Sequence, residues 1–355
     1  MPDREAVFLE KLARTGLWQL PGLLQALPDE TARLARLCYA ASPAGDWLDT
    51  PPEVFFSCAA HARYLRENAS WTRALPEPLF LAYVLHPRVN NEALCDCRPV
   101  FYAARAERLR GLLEEAAILE SIRWCAEHVA YQPTDERSRS ALAVRRAGFG
   151  RCGEESMFAV NVLRACGFAA RQGYVPRWAH CDDNHAWVEV RCGGAWHFLG
   201  ACEPEAVLDR GWFNSAAGRA VLVHSRCFGE PEPGADLIGR EGDVGYCNEP
   251  ARYADVRRLT ARVTDENGMS AAGADVDFCI LNNCEWYPAA TVQTDASGMA
   301  ALTCGLGSLR LLARRDGLCC EAFVSPEETG PVVLTLGKRA PAPDRWEPIE
   351  LTAPR

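Results

Sequence analysis

The residues best suited to chemistry lie in the stretch RRAGFGRCGEESMFAVNVLRACGF, positions 145 to 168. Cys152 sits there among Gly148, Gly150 and Gly153, ahead of Glu154, Glu155 and a long apolar run. A thiol is a useful nucleophile only as its thiolate, and a helix N-terminus favours that anion. The run GEESMFAVNVLRACG reads as a helix entered at Cys152. Met157, Phe158, Val160, Val162, Leu163 and Cys166 make it apolar nearly all round, so it should be buried and its first turn should point the thiol into a cleft. Glu154 and Glu155 suit the helix dipole, but their charges oppose a thiolate, so a cation is needed nearby. His185 can supply one. It opens HAWVEV, a strand in which His185, Trp187 and Glu189 share one face. A Cys/His ion pair is the usual way to hold a thiolate near neutral pH. A lone cysteine is more often a packed small hydrophobe; helix entry together with a strand-borne histidine favours the nucleophile.

The elements that must position this pair follow from periodicity. Residues 1–84 carry Leu at helical spacing in FLEKLARTGLWQLPGLLQAL and DETARLARLCYAA, interrupted by the Pro-rich turn SPAGDWLDTPPE. An irregular segment, FLAYVLHPRVNNEALCDCRPVF, leads to another helical run ending before Pro133. Beyond Cys152 the period changes from helical to alternating. AARQGYVPRW, HAWVEVRC and AWHFLGAC read as strands, the last two joined by a GG hairpin turn. Residues 218–255 show little periodicity and are read as containing a domain boundary. From about 256, short strands separated by ENG, ASG and DG turns predict a β-sandwich of about seven strands. The expected architecture is therefore multidomain α+β: an N-terminal helical domain over 1–84, a catalytic core over 85–245 with helices packed on an antiparallel sheet, an Ig- or transthyretin-like sandwich over 256–338, and an extended Pro-rich tail over 339–355.

A chain of 355 residues with 48% hydrophobic and 24% charged content is an ordinary globular composition. Its net charge of −9 and lack of any Lys/Arg block argue against nucleic acid or an anionic membrane as the main partner. No run approaches the length needed to span a bilayer, so no membrane insertion is expected. The N-terminus lacks the pattern of a secretory signal. The 17 cysteines are odd in number and irregularly scattered, which fits reduced thiols in a cytoplasmic setting. CDC at Cys95 and Cys97, CC at Cys319 and Cys320, and HCDDNH from His180 to His185 lack the spacing of a closed zinc site, so no metal and no cofactor is expected. PRVNNE, at Pro87 to Glu92, is read as a loop capped by Asn90 and Asn91; an Arg88–Glu92 ion pair on the cleft rim is the alternative.

The phrases GRCGEES, VLRACGFAARQGYVPRW, DDNHAWVEV and GGAWHFLGACEPE, taken in that order, resemble the transglutaminase-like superfamily over roughly residues 100–215. That superfamily has the papain-type active-site arrangement. LHPRVNNE and GACEPE resemble bacterial members with unassigned substrates. The resemblance implies that Cys152 attacks an amide carbonyl, that His185 carries the proton, and that an acid orients the imidazole. The thioester is then released to water or to an amine. Hydrolysis of a peptide or amide bond is the first expectation, protein-glutamine transglutamination the second, and a catalytically silent peptide-binding scaffold the third. The family's usual Asp falls on Gly200 here, and Glu203 is the nearest acid. A two-residue Gly193-Gly194 turn puts even-numbered residues on the His185 face and Glu203 away from it; a three-residue loop, or a bulge at Gly200 and Ala201, brings Glu203 back. Glu203 is taken as the third member. Asp182, Asp183 and Asn184 are next in line. The Cys152 backbone N–H is the first oxyanion donor, with Gln172 and Trp178 as side-chain candidates. Plain strand-surface and cleft-wall positions are their respective alternatives. VTDENGMSAAGADVDF and TDASGMAAL resemble carboxypeptidase-regulatory-like domains, which implies a non-catalytic module open to a protein partner.

Overall fold

A computed structural model describes residues 4–135, 137–328 and 330–337. The Pro-rich tail expected over 339–355 lies outside the described residues.

The first 80 residues form helices, the longest being Arg4–Thr15, Asp29–Ala41 and Pro52–Asn68, followed by a π-helical turn at Leu81–Leu85. Pro52 starts its helix from the first-turn position, where the missing N–H costs nothing. The apolar faces meet in one cluster in which Tyr39 stacks on Phe55 at 4.2 Å and packs edge-on against Trp47 at 4.8 Å. This layer grips the far end of the Cys152 helix. His61 Nε2, Trp71 Nε1 and Thr72 Oγ1 bond the carbonyls of Ala165, Cys166 and Gly167 at 2.8, 2.9 and 2.8 Å. Those are carbonyls that a helix C-terminus leaves without partners. The first 84 residues therefore brace the Cys152 helix from behind, roughly 20 Å along its axis from Cys152.

The core contains the helices Arg98–Leu109, Glu114–Ala126, Ala141–Ala147 and Cys152–Ala165. Two short strands, β1 (Ala130–Tyr131) and β2 (Phe149–Gly150), pair in parallel just before Cys152. The main sheet comprises β3 (Ala170–Val175), β4 (His185–Cys192), β5 (Ala195–Leu199), β6 (His224–Phe228), β7 (Leu237–Glu241) and β8 (Val244–Asn248), in the order β5-β4-β3-β6-β8-β7. Every adjacent pair is antiparallel. Three of these strands fall within 218–255, where alternation is weak. Five-residue strands interrupted by Gly and charged residues are too short to show a period, and the core sheet runs on to Asn248.

The even-numbered residues of β3 and β4 face the Cys152 helix: Ala170, Val188 and Val190 pack with Val160, Leu163 and Phe158. The odd-numbered face holds His185, Trp187 and Glu189, as period two dictates. There Glu189 accepts from Arg171 Nε and from Tyr253 Oη, each at 2.5 Å, and Trp187 Nε1 donates to Tyr253 Oη at 2.9 Å. Arg171 is 1% exposed, and its charge is also met by Glu249 at 2.8 Å. A buried charge needs such partners, and these partners tie the His185 strand to its neighbour and to the connector after β8.

The C-terminal strands are β9 (Val256–Thr264), β10 (Asp275–Asn282), β11 (Glu285–Gln293), β12 (Met299–Gly305), β13 (Leu309–Arg315), β14 (Leu318–Val324) and β15 (Val332–Thr335). They form a four-stranded sheet, β11-β10-β13-β14, and a three-stranded sheet, β12-β9-β15, packed around one apolar cluster. This is the sandwich of about seven strands read from the turn spacing.

Candidate active site

Cys152 is the first residue of its helix, entered from the extended Arg151. A helix leaves its leading N–H groups without internal partners, and Cys152 and Gly153 carry two of them. The Cys152 thiol is half-buried. Burial pushes its pKa up, and hydrogen bonds from the backbone N–H groups of Ala186 and Gly153 act against that rise. The Ala186 contact brings the sulfur against the first turn-in of β4, one residue from His185.

His185 is 8% exposed. Its ring lies 4.8 Å from Trp212, 5.0 Å from Phe213 and 6.1 Å from Trp187, centroid to centroid. Burial in this aromatic pocket lowers its pKa to about 4, and Asp183 opposes the drop. Its Nε2 is buried without a hydrogen-bond partner. No hydrogen bond joins the imidazole to the Cys152 sulfur among the described residues. At pH 7 the resting pair is therefore a neutral thiol and a neutral imidazole rather than a standing ion pair.

The two acids after Cys152 do not burden the sulfur as their charges alone suggest. Glu154 is fully buried, and Arg139 meets it through Nε at 2.7 Å and Nη2 at 3.0 Å, with Thr134 Oγ1 donating at 2.9 Å. Desolvation raises the Glu154 pKa, but these bonds outweigh it and the net shift is downward. Its charge is held by Arg139. Glu155 is 3% exposed, and burial followed by the nearby charge of Glu203 pushes its pKa up to about 8. It is protonated at pH 7.

The β4–β5 hairpin decides where Glu203 goes. Cys192 pairs with Ala195 across a two-residue turn, with Gly193 and Gly194 at φ 57° and 86°. That register aims Gly200 at the His185 face. The chain bends after Leu199, and Glu203 folds back over Gly200. A Cβ placed on Gly200 would lie 2.8 Å from both Cβ and Oε2 of Glu203. The Glu203 side chain thus occupies the space a side chain at 200 would fill, so a larger residue there would have to displace it. Glu203 does not hydrogen-bond His185 among the described residues. Its Oε2 accepts from Trp212 Nε1 at 2.7 Å, and the Trp212 ring lies against the imidazole. No periodic or spacing signal in GWFNS marks Trp212 in the sequence.

Gln172 is buried beneath the first turn of the Cys152 helix. Its Nε2 donates to Gly153 O at 3.0 Å and to Ser156 Oγ at 2.7 Å, and its Oε1 accepts from Asn90 Nδ2. Both amide protons are in use, so Gln172 fixes the turn that carries Cys152 and has no donor left for an oxyanion. Nor does it lie on a strand surface. Trp178 is 4% exposed and packs with Val175, Trp187 and Phe213 in the aromatic wall. In PRVNNE the cap is Glu92, whose carboxylate accepts from the N–H groups of Val89 and Asn90 at 2.8 and 2.7 Å. Arg88 pairs with Asp46 rather than with the Glu92 carboxylate, because the helical layer brings Asp46 to it. No group of His, Cys, Asp and Glu suited to a metal ion occurs among the described residues. No helix among them is long and apolar enough to cross a membrane.

The family model for the transglutaminase-like superfamily matches residues 104–201. Those residues form a transglutaminase-like domain. The match contains Cys152 and His185 and stops short of Glu203. A transglutaminase-like domain with a cysteine at its helix start supports a cysteine-dependent enzyme. Among solved structures, one described as "a Putative Cysteine Protease from Cytophaga hutchinsonii" overlaps at 16% identity with a TM-score of 0.26. That overlap covers 43% of this chain and 57% of the other, so this chain spans little more than half of that structure's length. So low a score carries no argument about activity. No curated protein matches.

Proposed function

We propose that the transglutaminase-like domain hydrolyses a peptide or amide bond through a Cys152 thioester. The observation that carries this reading is the placement of the Cys152 thiol at the head of a buried helix, against the β4 backbone next to His185. His185 takes the thiol proton as the sulfur attacks the carbonyl carbon, so charge develops only as the two side chains meet. Such catalytic hydrogen bonds are often long or unformed without substrate. The carbonyl oxygen becomes an oxyanion that the Cys152 N–H can receive. Collapse breaks the C–N bond, and the leaving amine takes the proton from His185. Water then attacks the thioester with His185 as base, releasing the acid and restoring the thiol. Glu203 acts through Trp212: its carboxylate holds the indole N–H, and the indole ring covers the imidazole and limits its motion.

Release to water is taken ahead of release to an amine because water needs no second binding site beside the thioester; Tyr131 and Trp212, next to the sulfur and the imidazole, are 62% and 65% exposed. The test supplies fluorogenic peptide pools with and without a labelled primary amine. Cleavage or ammonia release without amine incorporation supports hydrolysis; incorporation at high amine supports transfer. A scaffold reading draws on the His185 Nε2 and thiol–imidazole bonds that are not made among the described residues. It requires that Cys152 be no more reactive toward iodoacetamide than the other accessible thiols.

A further inference from the structure

Three carbonyl oxygens in the loop that leads into His185 converge on one side chain from the C-terminal sandwich. Asn282, the last residue of β10, donates from Nδ2 to Cys181 O at 2.8 Å, Trp178 O at 3.0 Å and Asp183 O at 3.3 Å. It is 1% exposed. Its Oδ1 accepts from Asn283 Nδ2 at 2.9 Å, which fixes the amide's orientation, and the Asn283 N–H donates to Asp182 Oδ1 at 2.8 Å. The loop is folded to receive it. Trp178 N–H reaches Asp183 O at 3.0 Å and Asp183 N–H reaches Cys181 O at 2.9 Å, which turns the carbonyls inward.

The donor is rigidly presented. Asn282 pairs with Glu285 across a two-residue turn whose residues, Asn283 and Cys284, have φ of 51° and 61°. Both lie in the left-handed region that the tightest hairpin turns demand, and Asn is well suited to it. Of the three, the Trp178 carbonyl is the buried one, and a buried carbonyl without a donor is costly; the Cys181 and Asp183 carbonyls already accept a loop N–H and take the amide as a second donor. An acid of the same shape in its ionised form would place oxygen against oxygen. The loop so held ends at Asp183 and Asn184, directly before His185, and Asp183 is the charge that acts on the imidazole.

We infer that Asn282 is a positioning residue for His185: the hairpin tip of the sandwich fills a cluster of loop carbonyls and sets where the imidazole enters the site. The sandwich is then part of the active site's construction rather than an appended module. This inference rests on Cys152 and His185 being the reacting pair.

The experiment uses the full chain with Asn282→Ala and Asn282→Asp. Thr291→Ala serves as a control, since it removes a β10–β11 bond to Asp277 at 2.7 Å without touching the loop. Three quantities are read: amide hydrogen exchange over residues 176–184, the iodoacetamide rate at Cys152 at fixed pH, and kcat and KM on a peptide cleaved by the unaltered protein. Both Asn282 variants should exchange faster in that loop. They should lower the Cys152 alkylation rate and cut kcat by about tenfold with KM nearly unchanged, because displaced catalytic groups lose rate rather than binding. Thr291→Ala should do none of these. Unchanged loop exchange, an effect on KM alone, or an equal loss in Thr291→Ala would overturn the inference. If the unaltered protein cleaves no peptide while loop exchange and Cys152 alkylation still respond to Asn282, the hydrolase reading fails and the clamp stands.

Discussion

Glu155→Gln gives the sharpest test of the electrostatics around Cys152. The Glu155 carboxyl sits in the first turn of the nucleophile helix, and burial followed by the Glu203 charge raises its pKa from 4.5 to about 8. The folded state therefore keeps a proton between those values that the unfolded chain gives up. Stability from this proton is fully present below 4.5 and is lost as pH rises through 8. At about 1.4 kcal/mol per tenfold change in proton affinity, the ceiling across the window is about 5 kcal/mol; neighbouring groups that relax bring the working figure to about 3 kcal/mol. Glutamine mimics the protonated acid at every pH. The stability difference between variant and unaltered protein should thus grow by about 3 kcal/mol from pH 5 to pH 9, in favour of glutamine. Urea unfolding at pH 5, 7 and 9, followed through tryptophan fluorescence, reads it directly. A difference that is the same at all three pH values would refute the raised pKa and, with it, the view that Glu155 is uncharged beside the thiol at pH 7.

Gly200→Ala should cost about 1–3 kcal/mol by overpacking and free the Trp212 indole, because its new Cβ would fall 2.8 Å from the Glu203 carboxylate; urea unfolding and the Trp212 emission shift check both. Gln172→Ala should cost about 1–3 kcal/mol, since Ser156, Asn90 and the Gly153 carbonyl lose their partner; hydrogen exchange over 152–157 should rise with it. Arg139→Ala should cost about 1.5–3 kcal/mol by removing the bonds that hold the buried Glu154 charge, and it should raise the Glu154 pKa because burial is then less opposed; urea unfolding of the two proteins reads the cost.

Much of the fold is legible in the sequence because its elements announce themselves by period. The Cys152 helix, the three strands around His185 and the seven-strand sandwich each repeat long enough for 3.6 or 2 to emerge. Strands β6 to β8 do not, being five residues each and broken by Gly and charge. Within the site, residue type and local spacing point to Cys152 and His185. The partners of both come from places no local pattern reaches. Arg139 answers Glu154 from the preceding loop, and Trp212 arrives after an aperiodic turn. Gln172 alternates inward because β3 packs on the nucleophile helix, which a strand pattern alone does not say. Glu203 reaches the His185 face only because a bend after Leu199 overrides the hairpin register. Asn282 lies about a hundred residues downstream, on another domain.

The central claim is that Cys152 forms the acyl bond with His185 as its base. Incubating the full chain with a peptide aldehyde or acyl-fluoride probe and locating the adduct by mass spectrometry tests it most directly. A single adduct on Cys152, absent in Cys152→Ser and strongly slowed in His185→Ala, is the predicted result. Labelling spread over Cys181, Cys284 and the other accessible thiols, unaffected by His185→Ala, would contradict it.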